Sequence, residues 1–197
     1  MVDFLIGLFL ASLIVALFTT RLYKLFLWYS INSLMLGMLA LVIGKNIDDD
    51  AMIITGIITI IVKAIGIPYI LKNLSQKFHF IRQITPEIKV QYAIMLIPAI
   101  LVFTFYLSAP ITSMINTNAN YVAISISSLF LSLLLMIEHK DVASKIIGFL
   151  SIENSLFLLG ISATNGMPML VELGIFFDLL MAIVVINLLF HKEEMKI

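Results

Sequence analysis

Cysteine is absent from the 197 residues. That removes disulfides, thiolate-held zinc and cysteine-ligated iron–sulfur clusters from this chain. Charge is also scarce: Asp, Glu, Lys and Arg together make up 12% of the sequence, against roughly 25% in a soluble domain. The formal net charge is zero, so the chain has no electrostatic attraction for nucleic acid, and none is expected as a partner. Histidine is rare as well. His79, His139 and His191 fall in expected polar loops or at a helix end and share no helical face, which argues against a haem pair or a metal triad. No Gly-rich phosphate loop and no nucleophile with an accompanying base are present, so catalysis by this chain alone is not expected.

What fills the sequence instead is apolar. Hydrophobic residues account for 61% of the chain, and the mean hydropathy is +1.12. Too little polar surface remains to cover a water-soluble globule, and membrane lipids are the expected surroundings. A crossing needs about 20 largely apolar residues. On that rule an all-α, polytopic membrane protein of seven transmembrane helices is expected, with spans near 3–20, 23–44, 51–72, 89–110, 119–137, 142–163 and 168–190. No charge occurs from Val90 to Ile137, a stretch too long for one crossing, and the polar run Thr112 to Asn118 divides it. The first apolar run, Phe4 to Thr20, is followed rather than preceded by Arg21 and Lys24. A secretory signal has the opposite order, so this run reads as a retained span.

Basic residues set the expected orientation. Arg21 and Lys24 follow the first span, Lys72, Lys77, Arg82 and Lys89 the third, Lys140 and Lys145 the fifth, and Lys192 and Lys196 the seventh. The intervening loops hold Lys45 with Asp48, Asp49 and Asp50, or no charge. The positive-inside rule then places the N-terminus outside and the C-terminus in the cytoplasm of a multi-pass prokaryotic inner-membrane protein. Residues 73–88 form the one sizeable cytoplasmic loop, either an interfacial connector or a docking surface for a peripheral subunit.

Spans two and three resemble spans six and seven. Gly56 to Ile65 aligns with Gly174 to Ile183. Ser30-Ile31-Asn32-Ser33-Leu34 aligns with Ser151-Ile152-Glu153-Asn154-Ser155-Leu156 with one residue inserted. The expected organisation is two parallel three-helix repeats joined by one helix: 1–72, then a loop plus linking helix over 73–118, then 119–197. A cation in one repeat, Lys63, and carboxylates in the other are candidate pseudo-symmetric partners.

Four ionisable side chains lie inside these apolar stretches: Lys63, Glu153, Glu172 and Asp178. A charge at the centre of a bilayer costs on the order of 3 kcal/mol even on lenient scales, so such groups face a protein interior or a wet path. Lys63, Glu153 and Asp178 are the mid-depth candidates for a proton relay. The alternative for each is a locking ion pair or a cross-helix hydrogen bond. Glu172 lies nearer the outer boundary, where reaching the headgroups is the bland alternative. Asn32, Asn154 and Ser151 are the candidate supporting polar groups, with Ser30, Ser33, Thr55, Thr59, Ser155 and Asn187 nearby in depth.

Three segments carry a family resemblance. Val62-Lys63-Ala64-Ile65-Gly66-Ile67-Pro68-Tyr69-Ile70-Leu71 resembles the lysine-to-proline motif of the hydrogenase-4 component E family. Ile147-Gly148-Phe149-Leu150-Ser151-Ile152-Glu153-Asn154 is similar to that family's Gly–Glu–Asn span, and Leu170 to Ile175 leading into Asp178 resembles its Val-Glu-Ile-Gly run. The last three spans of that family are in turn similar to the K subunit of respiratory complex I and the C subunit of cation/proton antiporters. The resemblance implies a membrane-arm subunit of a group 4 nickel–iron hydrogenase or formate hydrogenlyase complex. Antiporter-like membrane subunits and a peripheral hydrogenase arm would be its partners, and the nickel–iron centre and iron–sulfur clusters would lie in those partners, with no cofactor bound here. By motif, Asp178 corresponds to the second intramembrane glutamate of the complex I subunit, while Glu153 falls one helical turn beyond the first. Two other readings stay open at this point: a structural adaptor that carries no ions, and a subunit of a multi-subunit cation/proton antiporter.

Overall fold

The computed structural model describes residues 1–77, 84, 90–115, 119–139 and 141–164. Among them the chain is helical throughout, with no strand. The order is α1 (Val2–Leu17), α2 (Leu22–Asn46), α3 (Asp50–Ile58), a π-helical segment π1 (Thr59–Gly66), α4 (Ile67–Lys77), α5 (Val90–Ile115), α6 (Ala119–Glu138) and α7 (Val142–Thr164). Elements α3, π1 and α4 follow without a break and form one long rod.

Five helical stretches are long and apolar enough to cross a membrane: Leu22–Asn46, Asp50–Asn73, Gln91–Pro110, Asn120–Glu138 and Val142–Ala163. They carry the spans expected at 23–44, 51–72, 89–110, 119–137 and 142–163. The first helix is shorter than its expected span, at 16 residues. Its length is about 24 Å at 1.5 Å per residue, less than the roughly 30 Å of a hydrocarbon core. It stops at Leu17 because the chain turns through Phe18, and the Thr19 hydroxyl folds back onto the Val15 carbonyl at 2.8 Å. The span expected at 168–190 lies outside the described residues, as does most of the loop expected at 73–88. Two expected boundaries move. Residues 73–77 extend α4 rather than beginning that loop, and Thr112 to Ile115 continue α5 rather than ending it. Short hydroxyl side chains are compatible with a helix, since they can bond back onto its own carbonyls.

Asp49 starts α3 by accepting the Ala51 and Met52 amides at 3.0 and 3.4 Å, the usual work of an N-cap carboxylate. The tight turn before it uses Asp48 at φ 52°, a left-handed conformation that Asp tolerates better than most residues.

Helix α2 is the hub, packed against α1, α3, π1, α4 and α7. One close approach is glycine to glycine. A Cβ on Gly56 would lie 2.9 Å from the Gly37 carbonyl oxygen, and one on Gly37 would lie 3.0 Å from that of Gly56. Two apolar clusters hold the bundle. One gathers Leu25, Phe26 and Tyr29 of α2 with Leu131 and Leu135 of α6 and Ile147 and Leu150 of α7. The other gathers Ile6 and Phe9 of α1, Leu36 and Leu39 of α2, and Leu158 and Ile161 of α7. These memberships make α2 and α7 run parallel. Helices α1 and α6 start at the same face, where the Tyr121 hydroxyl donates to Asp3 at 2.8 Å. At the other end the Ile84 amide donates to the Thr20 carbonyl at 2.9 Å and fixes that residue beside the α1–α2 turn.

Large apolar side chains also face outward, among them Ile54, Ile61 and Ile65 on the third rod and Met95, Val102 and Tyr106 on α5. Such continuous apolar faces would be unfavourable in water and favourable against acyl chains. The molecule is compatible with a membrane protein on helix length, composition and surface alike.

Candidate functional site

Along α2 and α7 the sequence changes character between the two clusters. Leu25, Phe26 and Tyr29 give way to Ser30, Asn32 and Ser33 before Leu36 resumes the apolar face; Leu150 gives way to Ser151, Glu153, Asn154 and Ser155 before Phe157. A buried polar layer thus lies between two apolar ends. Polar groups held at that depth must find partners inside the protein.

Among the described residues the layer contains one buried ion pair. Lys63 Nζ meets Glu153 Oε1 at 2.6 Å, with 6% of each side chain exposed. Lys63 is carried by π1, the eight-residue segment with wider i→i+5 turns, and single π turns inside α-helices recur at functional sites. The sequence around it favours such a departure. Pro68 has no N–H to offer the Ala64 carbonyl four residues back, and the Ser30 hydroxyl of α2 donates to that carbonyl. The residue beside Lys63 is therefore anchored across the helix interface.

From Glu153 the layer continues through its neighbour. Asn154 Nδ2 donates to Asn32 Oδ1 at 3.0 Å and to Ser33 Oγ at 2.8 Å. Asn32 Nδ2 donates in turn to Ser12 Oγ at 3.0 Å and to the Phe9 carbonyl at 3.1 Å. One network therefore links α1, α2 and α7. Asn154 Oδ1 is a buried acceptor with no hydrogen-bond donor among the described residues. On the far side of α7 the Ser155 hydroxyl donates to the Ser151 carbonyl at 2.9 Å and meets Ser132 Oγ of α6 at 3.1 Å. Ser127 of α6 meets Thr104 of α5, so hydroxyl contacts extend across the bundle.

Of the candidate residues, the structure brings Lys63 and Glu153 into direct contact and joins Asn32 to Asn154. Ser151 is buried one turn before Ser155 and accepts its hydroxyl through the backbone. Asp178, Glu172 and Asn187 lie outside the described residues. Ser12 and the α6 serines Ser125, Ser127, Ser128 and Ser132 were not singled out from sequence, although four serines in one apolar span are a visible signal. Gly37 was missed too, and it, Gly56 and Gly148 all make close helix contacts. Among the described residues no three His, Asp or Glu side chains converge as a metal site would require.

The pair sets a carboxyl against an amine out of water, and the next residue carries a buried acceptor with no donor among the described residues. Chemically, such an arrangement can hold, bias or pass a proton. No family model and no solved structure matches the chain. It is similar to a Mycobacterium tuberculosis protein described as uncharacterized, Rv0085, at 25% identity over 156 residues, covering 78% of this chain and 71% of that one.

Proposed function

We propose that this chain is a non-catalytic membrane-arm subunit of a redox-driven proton- or sodium-translocating complex. Its Lys63–Glu153 pair is one station of an intramembrane proton relay in that reading. The observation that carries it is the pair itself, buried at 2.6 Å in a polar layer between apolar ends. Stability is a poor reason for such a pair. Well-packed apolar residues of similar volume are typically as stable or more so, because desolvating two charges offsets most of their attraction. The Asn154 acceptor, which has no donor among the described residues, supports the same reading, since a buried acceptor of this kind is commonly met by an ordered water.

In the full reading the chain crosses a prokaryotic inner membrane seven times, N-terminus outside and C-terminus in the cytoplasm, as two parallel three-helix repeats. Three features support the repeats: the parallel runs of α1 with α6 and of α2 with α7, and the bond between Asn32 and Asn154, which occupy matching positions of the aligned segments. Asp178 continues the relay beyond Glu153, and Glu172 lies toward its outer mouth. The motif resemblance favours a group 4 nickel–iron hydrogenase or formate hydrogenlyase, with the metal centres in partner subunits.

Co-purification with the tagged full-length chain tests the assembly. The expected result is a complex that includes a nickel–iron large subunit and an antiporter-like membrane subunit. Recovery of antiporter subunits without any redox partner favours the cation/proton antiporter reading instead.

A further inference from the structure

An open cleft of about 590 Å³ lies between the first half of α2 and α4. Small-molecule sites typically span about 300–1,000 Å³. Its two walls are single helix faces that run past each other. One runs from Tyr23 to Ser30, the other from Pro68 to Gln76, so the cleft is about 11 Å long at 1.5 Å per residue. Its character changes along that length. At the end marked by the start of α2 and the close of α4 stands Gln76, with Lys72 one helical turn further in. Deeper in, the lining turns to Phe26, Leu27 and Tyr69. Neither α2 nor α4 contains an acidic residue, so neither wall offers Lys72 a carboxylate. Leu27 and Tyr69 are 54% and 65% exposed, which opens the cleft sideways toward whatever surrounds the helices.

We propose that this cleft is a binding site for one anionic glycerophospholipid. Its phosphate is held by Lys72 and Gln76, and an acyl chain lies along Phe26, Leu27 and Tyr69. A cationic mouth on an apolar trough matches an amphiphile with one negative end, and a side opening suits a ligand that arrives from the bilayer plane. The orientation proposed above turns this mouth to the cytoplasmic leaflet, where anionic lipids attract basic residues near the surface. The binding itself does not depend on that orientation or on proton transfer. At its deep end the cleft reaches Ser30, whose hydroxyl holds the Ala64 carbonyl beside Lys63. An occupant therefore reaches the residue that anchors the segment presenting the buried amine.

Native mass spectrometry of the purified full chain, titrated with phosphatidylglycerol or phosphatidylcholine, tests the site. The wild type should retain one phosphatidylglycerol, and Lys72→Gln should lower that retention about five-fold, the ratio corresponding to the roughly 1 kcal/mol of one lysine at an anionic surface. Leu27→Trp, which fills the trough from an exposed position, should reduce retention of both lipids. Excess inorganic phosphate should displace neither. Equal retention of the two lipids, an unchanged preference in Lys72→Gln, or displacement by phosphate alone overturns the proposal. A photo-crosslinker at Leu27 in native membranes should give a lipid adduct, and a protein adduct there would mean that a neighbouring subunit covers the cleft. None of these readouts measures translocation, so their failure is distinct from failure of the relay.

Discussion

Lys63 of π1 and Glu153 of α7 are ninety residues apart in sequence and 2.6 Å apart in space, the sole ion pair between described residues. Removing one partner takes this 2.6 Å contact from a buried charge, which costs about 3–5 kcal/mol, whereas replacing both by apolar groups is neutral or stabilising. Lys63→Met and Glu153→Leu should each destabilise the protein by about that amount. The double variant should recover most of the loss. Equilibrium unfolding in detergent, read as a double-mutant cycle, checks this, and additive losses would contradict direct coupling.

The contact between Asn154 and Asn32 makes a second prediction. Asn154 supplies both bonds that tie α7 to α2 in the polar layer, at 3.0 and 2.8 Å. Asn154→Leu removes both and leaves Asn32 Oδ1 without that donor, at an expected cost of about 1–3 kcal/mol. Ser33→Ala removes only one of the two bonds and should cost less. Thermal melting of both variants gives the ranking, and equal stabilities would argue that the network holds little.

Glycines separate close packing from open surface. A Cβ on Gly148 would sit 2.6 Å from Met136 Cα, a backbone atom of the neighbouring helix that cannot yield cheaply. Gly148→Ala should therefore destabilise by about 1–3 kcal/mol. Nothing lies within 4 Å of the corresponding atom on Gly7. There, alanine should be neutral or stabilising by up to about 1 kcal/mol through helix propensity. Chemical denaturation of the two variants side by side checks the difference in sign.

His139, just past the end of α6, is 1% exposed. Burial lowers its pKa from the ordinary 6.5, against the opposing effects of its bond to the Leu135 carbonyl and of nearby Asp141. The unfolded chain takes up a proton on this residue at higher pH than the folded chain does. Stability is therefore complete above about pH 6.5 and declines as pH falls below it toward the folded-state value. His139→Gln removes this contribution. Melting temperatures at about pH 7.5 and about pH 5.5 should fall less with acid in the variant than in the wild type. An identical pH dependence would contradict a neutral buried imidazole.

Much of the helical layout was legible because apolar length is a strong local signal. The runs from Tyr23 to Gly44 and from Val142 to Ala163 read directly as spans. The polar layer was partly legible, since Asn32, Ser33, Glu153 and Asn154 stand out in apolar surroundings. Which of them touch was not, because the choice of Glu153 for Lys63 depends on how α7 packs against the third rod. Nor was the π segment visible, although Pro68 and the β-branched run Thr59-Ile60-Ile61-Val62 stand at its place. Gly37 escaped notice for a similar reason: a glycine in an apolar helix shows its purpose only when another backbone arrives beside it.

Proton uptake per electron transferred, measured in inverted vesicles that carry the assembled complex, tests the relay most directly. Glu153→Gln should abolish translocation while electron transfer and assembly persist, and the stable Lys63→Met/Glu153→Leu double variant should be equally uncoupled. Undiminished proton movement in that double variant, with the complex intact, would contradict the relay and leave the pair as a structural lock.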